Sequence, residues 1–230
     1  MKTDVSIKDR ERKWFMKYTA LIVAAGSGSR MGLGYNKMLF TLKNGRTILE
    51  ETIACFRQDK RCHQIIVVAS LEDMETFMQL CAKGNVVFVQ GGTTRQDSVY
   101  NGLKAVACDY VLIHDGARPW LSMTCIDRIV DTLQTKAACL LMMPVKDTIK
   151  VVEHGKVVST PQRATLYQAQ TPQAFRSDAI LKAYHIAYEK QLQATDDAQI
   201  MELCGDYEVY AVEGSYENIK VTTKEDIAGK

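Results

Sequence analysis

The sequence predicts an α/β protein: a mostly parallel, twisted sheet with helices on both faces and a projecting β-arm. Three observations predict it. Short, near-continuously apolar runs alternate with segments of helical spacing, the pattern of a sheet buried on both sides. Unusual polar loops follow several of these runs, and open α/β sheets bind ligands outside the carboxyl ends of their strands. The alternation then breaks near residue 146, where a hairpin pattern begins.

The elements follow in order. Residues 19–24 (TALIVA) form an apolar strand that ends in a glycine-rich loop. Residues 47–58 have helical spacing, with Ile48, Leu49, Ile53 and Phe56 on one face and Thr47 as cap. Residues 64–70 form a strand, and 71–83 a helix with Leu71, Met74, Phe77, Met78 and Cys81 on one side. Residues 85–90 form a strand, followed by GGTTRQDS and a helix through about 107. A strand at 110–115, a helix at 122–136 and a strand at 137–145 complete the alternation. Two short strands around His154-Gly155 make the hairpin. Residues 160–174, with Pro161 and Pro172, are expected to be irregular or extended. Helices at 178–192 and 196–204 and late strands at EVYAVEG and NIKVTT close the chain.

The chain has 230 residues, enough for one generous domain. No repeat or linker demands two, so residues 18–230 are expected as a single domain behind an extension at 1–17. That extension carries six basic residues against three acidic ones. It lacks the apolar run of a secretory signal and reads as an extension or a basic docking arm. Lys and Arg number 29 and Asp and Glu 27, a net charge of +2, too balanced for a general nucleic-acid coat. No apolar run is long enough to span a membrane. Seven cysteines without a Cys-x-x-Cys pair read as small buried hydrophobes in a reducing cytoplasm. With four scattered histidines, a structural zinc site is not expected.

Three loops carry chemistry. Ala24-Ala25-Gly26-Ser27-Gly28-Ser29-Arg30-Met31 follows the first strand. It reads either as a tight β-to-α connection or as a phosphate cradle, and Arg30 and Lys37 on either side of its end suit a polyphosphate. It matches neither the P-loop nor the Gly-x-Gly-x-x-Gly fingerprint. Gly91 and Gly92 permit close approach to a planar base, which Ser98 could contact, although Asp97 and Ser98 equally suit helix capping. Asp115, at a strand's carboxyl end, suits a metal, a sugar hydroxyl or a simple turn, and Arg118 can meet an anion. His114 reads as a packed strand residue. Thr148, Arg163, Thr171, the pair Asp196-Asp197 and Lys220 are bland individually.

As an ordered set, AAGSGSRM, Lys37, GGTTRQDS, HDGARP, PVKDTIK, QTPQAF, TDDA and NIKVTT closely resemble the 2-C-methyl-D-erythritol 4-phosphate cytidylyltransferase family. The resemblance runs from about Thr19 to about Ile227. It implies a Rossmann-like nucleotidyltransferase fold that uses CTP and a divalent cation, Mg2+. It matches Arg30 and Lys37 to the transition-state cations, with Arg163 and Lys220 also catalytic. It matches 24–30 to the CTP phosphate cradle, and Gly91, Gly92 and Ser98 to the cytosine pocket. Asp115 and Gly116 match the ribose and metal side, with Lys220 also on the nucleotide. Asp115, Arg118, Thr148, Arg163, Thr171 and Lys220 match the positions around the methylerythritol phosphate. The arm at about 146–170 matches a dimerisation arm that carries Thr148 and Arg163 to the partner's pocket, so a cytoplasmic homodimer is implied.

Asn36 stands where many relatives have Pro, Met38 where Gln is usual and Thr93 where an acid is common. The first two are expected to loosen the Lys37 loop and the third to weaken base contacts. Relatives also continue past EDIAG through a helix. The competing readings are a ribitol 5-phosphate cytidylyltransferase, disfavoured by Gly116-Ala117 and PVKDTIK, and a non-catalytic nucleotide-binding protein, disfavoured by the survival of Arg30 and Lys37.

Overall fold

Along the central strands, apolar side chains alternate faces, and both faces are buried. The computed structural model describes residues 16–26, 32–81 and 83–228. Its strands are β1 (Tyr18–Val23), β2 (Cys62–Ala69), β3 (Val86–Gln90), β4 (Tyr110–Asp115), β5 (Ala138–Pro144), β6 (Val151–Glu153), β7 (Lys156–Ser159), β8 (Tyr167–Arg176) and β9 (Tyr210–Glu213). Seven form one sheet in the order β3-β2-β1-β4-β8-β5-β9, while β6 and β7 pair separately. The described helices are α1 (Ile48–Arg57), α2 (Leu71–Cys81), α3 (Arg95–Leu103), α4 (Met123–Leu133), α5 (Ser177–Glu189) and α6 (Asp197–Cys204).

Ala20, Ile22, Ile65, Val67 and Leu112 meet α1, α2 and α4 on one face. Leu21, Ile66, Val68, Val111 and Ile113 meet α3, α5 and α6 on the other. This two-sided burial is the expected α/β architecture. β1 pairs in parallel with both β2 and β4, and Val23 lies opposite Val68 and Asp115. The chain steps from β1 outward to β3, then returns to β4 on the other side of β1. The carboxyl ends of β1 and β4 therefore flank a topological switch point, where such sheets form a crevice.

One open expectation is decided and three change. Most of the stretch expected to be irregular or extended is extended: β8 is a strand, antiparallel to both β4 and β5. Pro172 suggested irregular chain, but it falls where the β5 register shifts between Leu140 and Met142, a bulge that tolerates a residue without an N–H. NIKVTT is not a strand: Asn218 and Val221 are buried and Val221 N donates to Ala117 O at 2.8 Å. Its alternation comes from packing across β4's loop. α3 stops at Leu103, with Lys104 as its C-cap, because the buried stripe ends there. On α2, only Phe77 and Cys81 are fully buried and Met74 is partly so, whereas Leu71 is 71% exposed and Met78 is exposed. α2 covers the edge of the sheet near the half-buried β3, which offers room for a narrow stripe only.

Thr47 caps α1 in a reciprocal capping box with Glu50. His154 and Gly155 both have positive φ, +48° and +78°, the twist of a two-residue hairpin turn between Glu153 and Lys156. The arm exposes Val151, Val152, Val157 and Val158. All seven cysteines are unbridged, four of them buried.

The α2 packing gives a direct check by urea denaturation. Phe77→Ala should cost about 3–5 kcal/mol, and Leu71→Ala should stay within about 0.5 kcal/mol of wild type.

Candidate active site

A cavity of about 360 Å3 lies at the carboxyl ends of β1 and β4. Its walls come from the chain after β1 (Ala25, Gly26, Lys37, Met38), the loop before α3 (Gly92 to Arg95), Ser98, the end of β4 (Asp115, Ala117) and Lys220. Ser27, Gly28, Ser29 and Arg30 lie outside the described residues. The loop begins where Ala24 N donates to Val68 O at 2.8 Å, extending the β1–β2 ladder by one bond.

Asp115 organises the cavity. Its carboxylate is nearly buried and meets Lys220 Nζ at 2.8 Å, Arg95 Nε at 3.6 Å and Arg118 Nε at 3.7 Å. Burial alone would raise this carboxyl, but Arg95, Lys220 and Arg118 override it and hold it far below the usual carboxylate range. Its backbone N–H donates to Thr171 Oγ1 at 3.0 Å. Arg118 O can only accept, so His114 Nε2–H donates to it at 3.1 Å. Nδ1 of the neutral ring is then an acceptor, and the Thr171 hydroxyl donates to it at 3.0 Å. His114 is fully buried against Phe56, and burial pushes it down to about 4.

Lys37 is buried and its Nζ donates to Val221 O at 2.7 Å. Arg118 Nη1 donates to Asn218 O at 2.6 Å. Both cations thus lean on the NIKVTT loop that delivers Lys220. Arg95 lies within GGTTRQDS, and the sequence alone assigns it no role. It grips Asp197, which is fully buried, through two bonds of 3.0 and 2.7 Å. Tyr184 adds a third bond to the same carboxylate at 2.6 Å. The signal available was TDDA itself: a buried acid demands a buried cation. Lys37, Arg95 and Lys220 line the cavity together with Asp115, and Arg118 stands 3.7 Å from Asp115, so among the described residues this cleft carries excess positive charge and suits a polyanion.

The glycine-rich turn before α3 is tight for internal reasons. A Cβ on Gly91 would lie 2.7 Å from Ala25 Cβ and 2.9 Å from Ser98 Oγ. One on Gly92 would overlap Asp97. Ser98 Oγ accepts from Gly92 N at 3.1 Å and donates to Thr94 O at 2.9 Å, so its hydroxyl is already engaged in shaping the turn. Thr94 and Asp97 form a capping box, and Thr93 Oγ1 donates to Asp97 Oδ2 at 2.7 Å. Thr93 therefore serves the cap. Gly116 N continues β4 by donating to Val23 O at 3.0 Å.

Asn36 was expected to loosen the lysine loop. Instead its side chain accepts from Met38 N at 3.0 Å and caps the turn Lys37–Leu39. Met38 is buried beneath this turn. Thr148 and Arg163 are exposed on the arm and do not line this chain's cavity; Arg163 Nη1 donates to Lys146 O at 3.0 Å.

An open, mostly parallel sheet with a cation-lined crevice at its switch point defines a nucleotidyltransferase-like α/β protein. The sequence model of the 2-C-methyl-D-erythritol 4-phosphate cytidylyltransferase family matches residues 18–229, and the chain belongs to that family. It is 45% identical over 215 residues to the enzyme so named from Bacillus mycoides strain KBAB4, covering 91% of this chain and 94% of the relative. The Halalkalibacterium halodurans relative of the same name is 43% identical over 217 residues, 92% of this chain and 94% of its own. Among solved structures, 4-diphosphocytidyl-2C-methyl-D-erythritol synthase from Anaerococcus prevotii DSM 20548 superposes with a TM-score of 0.82 at 35% identity, covering 92% and 95% of the two chains. The 2-C-methyl-D-erythritol 4-phosphate cytidylyltransferase from Thermus thermophilus gives 0.78 at 33% identity, covering 93% and 96%.

His114 makes the site's scaffold acid-sensitive. The folded protein holds it neutral, whereas the unfolded chain protonates it below about pH 6.5. Its stabilising contribution is complete above pH 6.5 and fades as the pH falls toward 4. Between those values the wild type should lose about 3 kcal/mol more unfolding free energy than His114→Gln. Parallel pH profiles would refute the assignment.

Proposed function

We propose that this protein transfers the cytidylyl group of CTP to 2-C-methyl-D-erythritol 4-phosphate, releasing pyrophosphate, in non-mevalonate isoprenoid precursor synthesis. The carrying observation is the cation cluster around Asp115 at the switch point, in a chain of this family over nearly its whole length. A phosphate oxygen of the alcohol phosphate attacks the α-phosphorus of CTP. A new P–O bond forms, the bond to the bridging oxygen of the β-phosphate breaks, and pyrophosphate leaves with that oxygen. No protein nucleophile is needed; what must be supplied is alignment of two anions and fixed positive charge.

Lys37 and Arg30 serve as the transition-state cations, and Ala24 to Arg30 cradle the phosphates. The buried, oriented Lys37 ammonium supports this, since a fixed cation needs no reorganisation as charge develops. The turn at Gly91 and Gly92 offers backbone groups to the cytosine, with Ser98 holding that turn in shape. Asp115 and Gly116 take the ribose side. Lys220 bridges Asp115 and the phosphates. Arg118 and Thr171 belong to the alcohol-phosphate side, where Thr171 also orients Asp115 and His114.

A magnesium ion fits this donor set. No cluster of three or more His, Cys, Asp or Glu exists among the described residues, but magnesium commonly takes one or two carboxylates together with substrate phosphates and water. Asp115, the carboxylate of this cavity, is the residue that would hold the ion together with substrate phosphates. The ion would neutralise phosphate charge and orient the triphosphate.

Residues from 18 onward act as one cytidylyltransferase domain whose arm reaches a second copy. The exposed valines of β6 and β7, and Thr148 and Arg163 remote from this chain's cavity, support a homodimer in which the arm completes the partner's pocket. Among the described residues no helix is long and apolar enough to cross a membrane. Seven unbridged thiols favour the cytoplasm.

Pyrophosphate release with CTP and magnesium should depend on methylerythritol phosphate. Release only with ribitol phosphate would keep the chemistry and replace the substrate. Lys37→Ala should lower kcat by roughly 10²–10³-fold with the fold intact by circular dichroism. Arg163→Ala should weaken use of the alcohol phosphate by about 1.5–3 kcal/mol, read from kcat/KM, while CTP binding holds; the reverse pattern would refute the map.

A further inference from the structure

Asn36, beside the lysine, has a buried side chain that the reaction above leaves unused. Its carbonyl oxygen accepts from Met38 N at 3.0 Å. Its amide donates to Asp73 Oδ2 at 2.7 Å and, more weakly, to Ala24 O at 3.4 Å. The orientation of the amide is unambiguous, because the oxygen faces a donor and the nitrogen faces two acceptors. Asp73 is itself fixed: Ser70 Oγ donates to the same Oδ2 at 2.6 Å and accepts from Asp73 N at 3.1 Å. One amide thus joins the lysine's turn, the residue that opens the glycine-rich loop and the first turn of α2.

We propose that Asn36 is a positioning residue for Lys37, with Asp73 as its anchor. The inference rests on Lys37 acting as a cation in the reaction. A lysine carries its charge on a flexible four-carbon stem, so its placement depends on how both ends are held. Val221 O holds the ammonium end. Asn36 holds the backbone end, at φ −63°, the value a proline ring would impose. Hydrogen bonds to two other segments supply a restraint that a ring would supply covalently. The bond to Asp73 is charge-assisted and partly shielded from water, which makes it the strong member of the set.

Steady-state kinetics on N36A, N36D, N36D/D73N, K37A and N36A/K37A test this. N36A should lower kcat on the order of tenfold or more, with KM for CTP changed far less. N36D keeps the bond to Met38 N but sets two carboxylates together, and should fall as far. N36D/D73N restores the bond between the two side chains with its roles exchanged, while giving up the bond to Ala24 O and the Ser70 hydroxyl's acceptor, and should regain part of the loss. In the K37A background N36A should have no further effect on kcat, a result that a general structural defect would not produce. Should N36A fail to fold, the comparison of N36D with N36D/D73N decides. Full turnover in N36A, multiplicative losses in N36A/K37A, or no recovery in the exchanged pair would overturn the inference alone. Unchanged turnover in K37A would overturn the role of Lys37 and this inference with it.

Discussion

An ionised carboxylate held out of water is the constraint around which this protein is arranged. Asp115 sits at the end of β4, and burial opposes its charge. It stays charged because Lys220 and Arg95 arrive from distant parts of the chain and Arg118 from the turn that follows it. Two of those cations are held in turn, Arg95 by Asp197 and Arg118 by Asn218 O. Removing one partner from such a set leaves uncompensated buried charge, which costs more than any single bond contributes. Among the described residues, the outcome is a positive cleft whose cations are held by the protein's own groups.

The neutral chain behind it has a different task. Asp115 N–H, the Thr171 hydroxyl, the His114 ring and Arg118 O form one directional series of hydrogen bonds. Each group has its donor and acceptor roles set by its neighbour. This orients the end of β4 without adding charge beside the carboxylate, and it uses β8, the one antiparallel member of an otherwise parallel sheet.

The sheet was legible in the sequence because strands buried on both faces leave uninterrupted apolar runs, and the runs ending at Val23, Ala69 and Ile113 do so. The loops that follow them were legible because glycine and charge cluster there. What was not legible depended on distant partners. Arg95 reads as an ordinary first-turn residue until α6 folds beneath it with Asp197. Pro172 reads as a breaker until a bulge in the β5 register accommodates it. Lys220 lies in an alternating stretch that looks like a strand, although the backbone of Val221 within it bonds to Ala117 and to the Lys37 side chain and pairs with no strand. Leu71 and Met78 share a helical stripe with Phe77, but the sheet edge is too narrow to cover them. Asn36 looks like the loss of a proline, and only the positions of Asp73 and Ala24 reveal what replaces it.

The hairpin arm leaves and re-enters the sheet at one place. Pro144, the last residue of β5, is paired with Tyr167, the first of β8. Everything between them is an excursion whose two ends are already joined by the ladder. Such an insert adds little to the entropy of closing the sheet. Changes within the arm therefore leave the register of its own chain's sheet intact, provided the rungs at its base persist. The demand on Thr148 and Arg163 comes from outside, from whatever surface the arm meets, and not from the sheet that carries them.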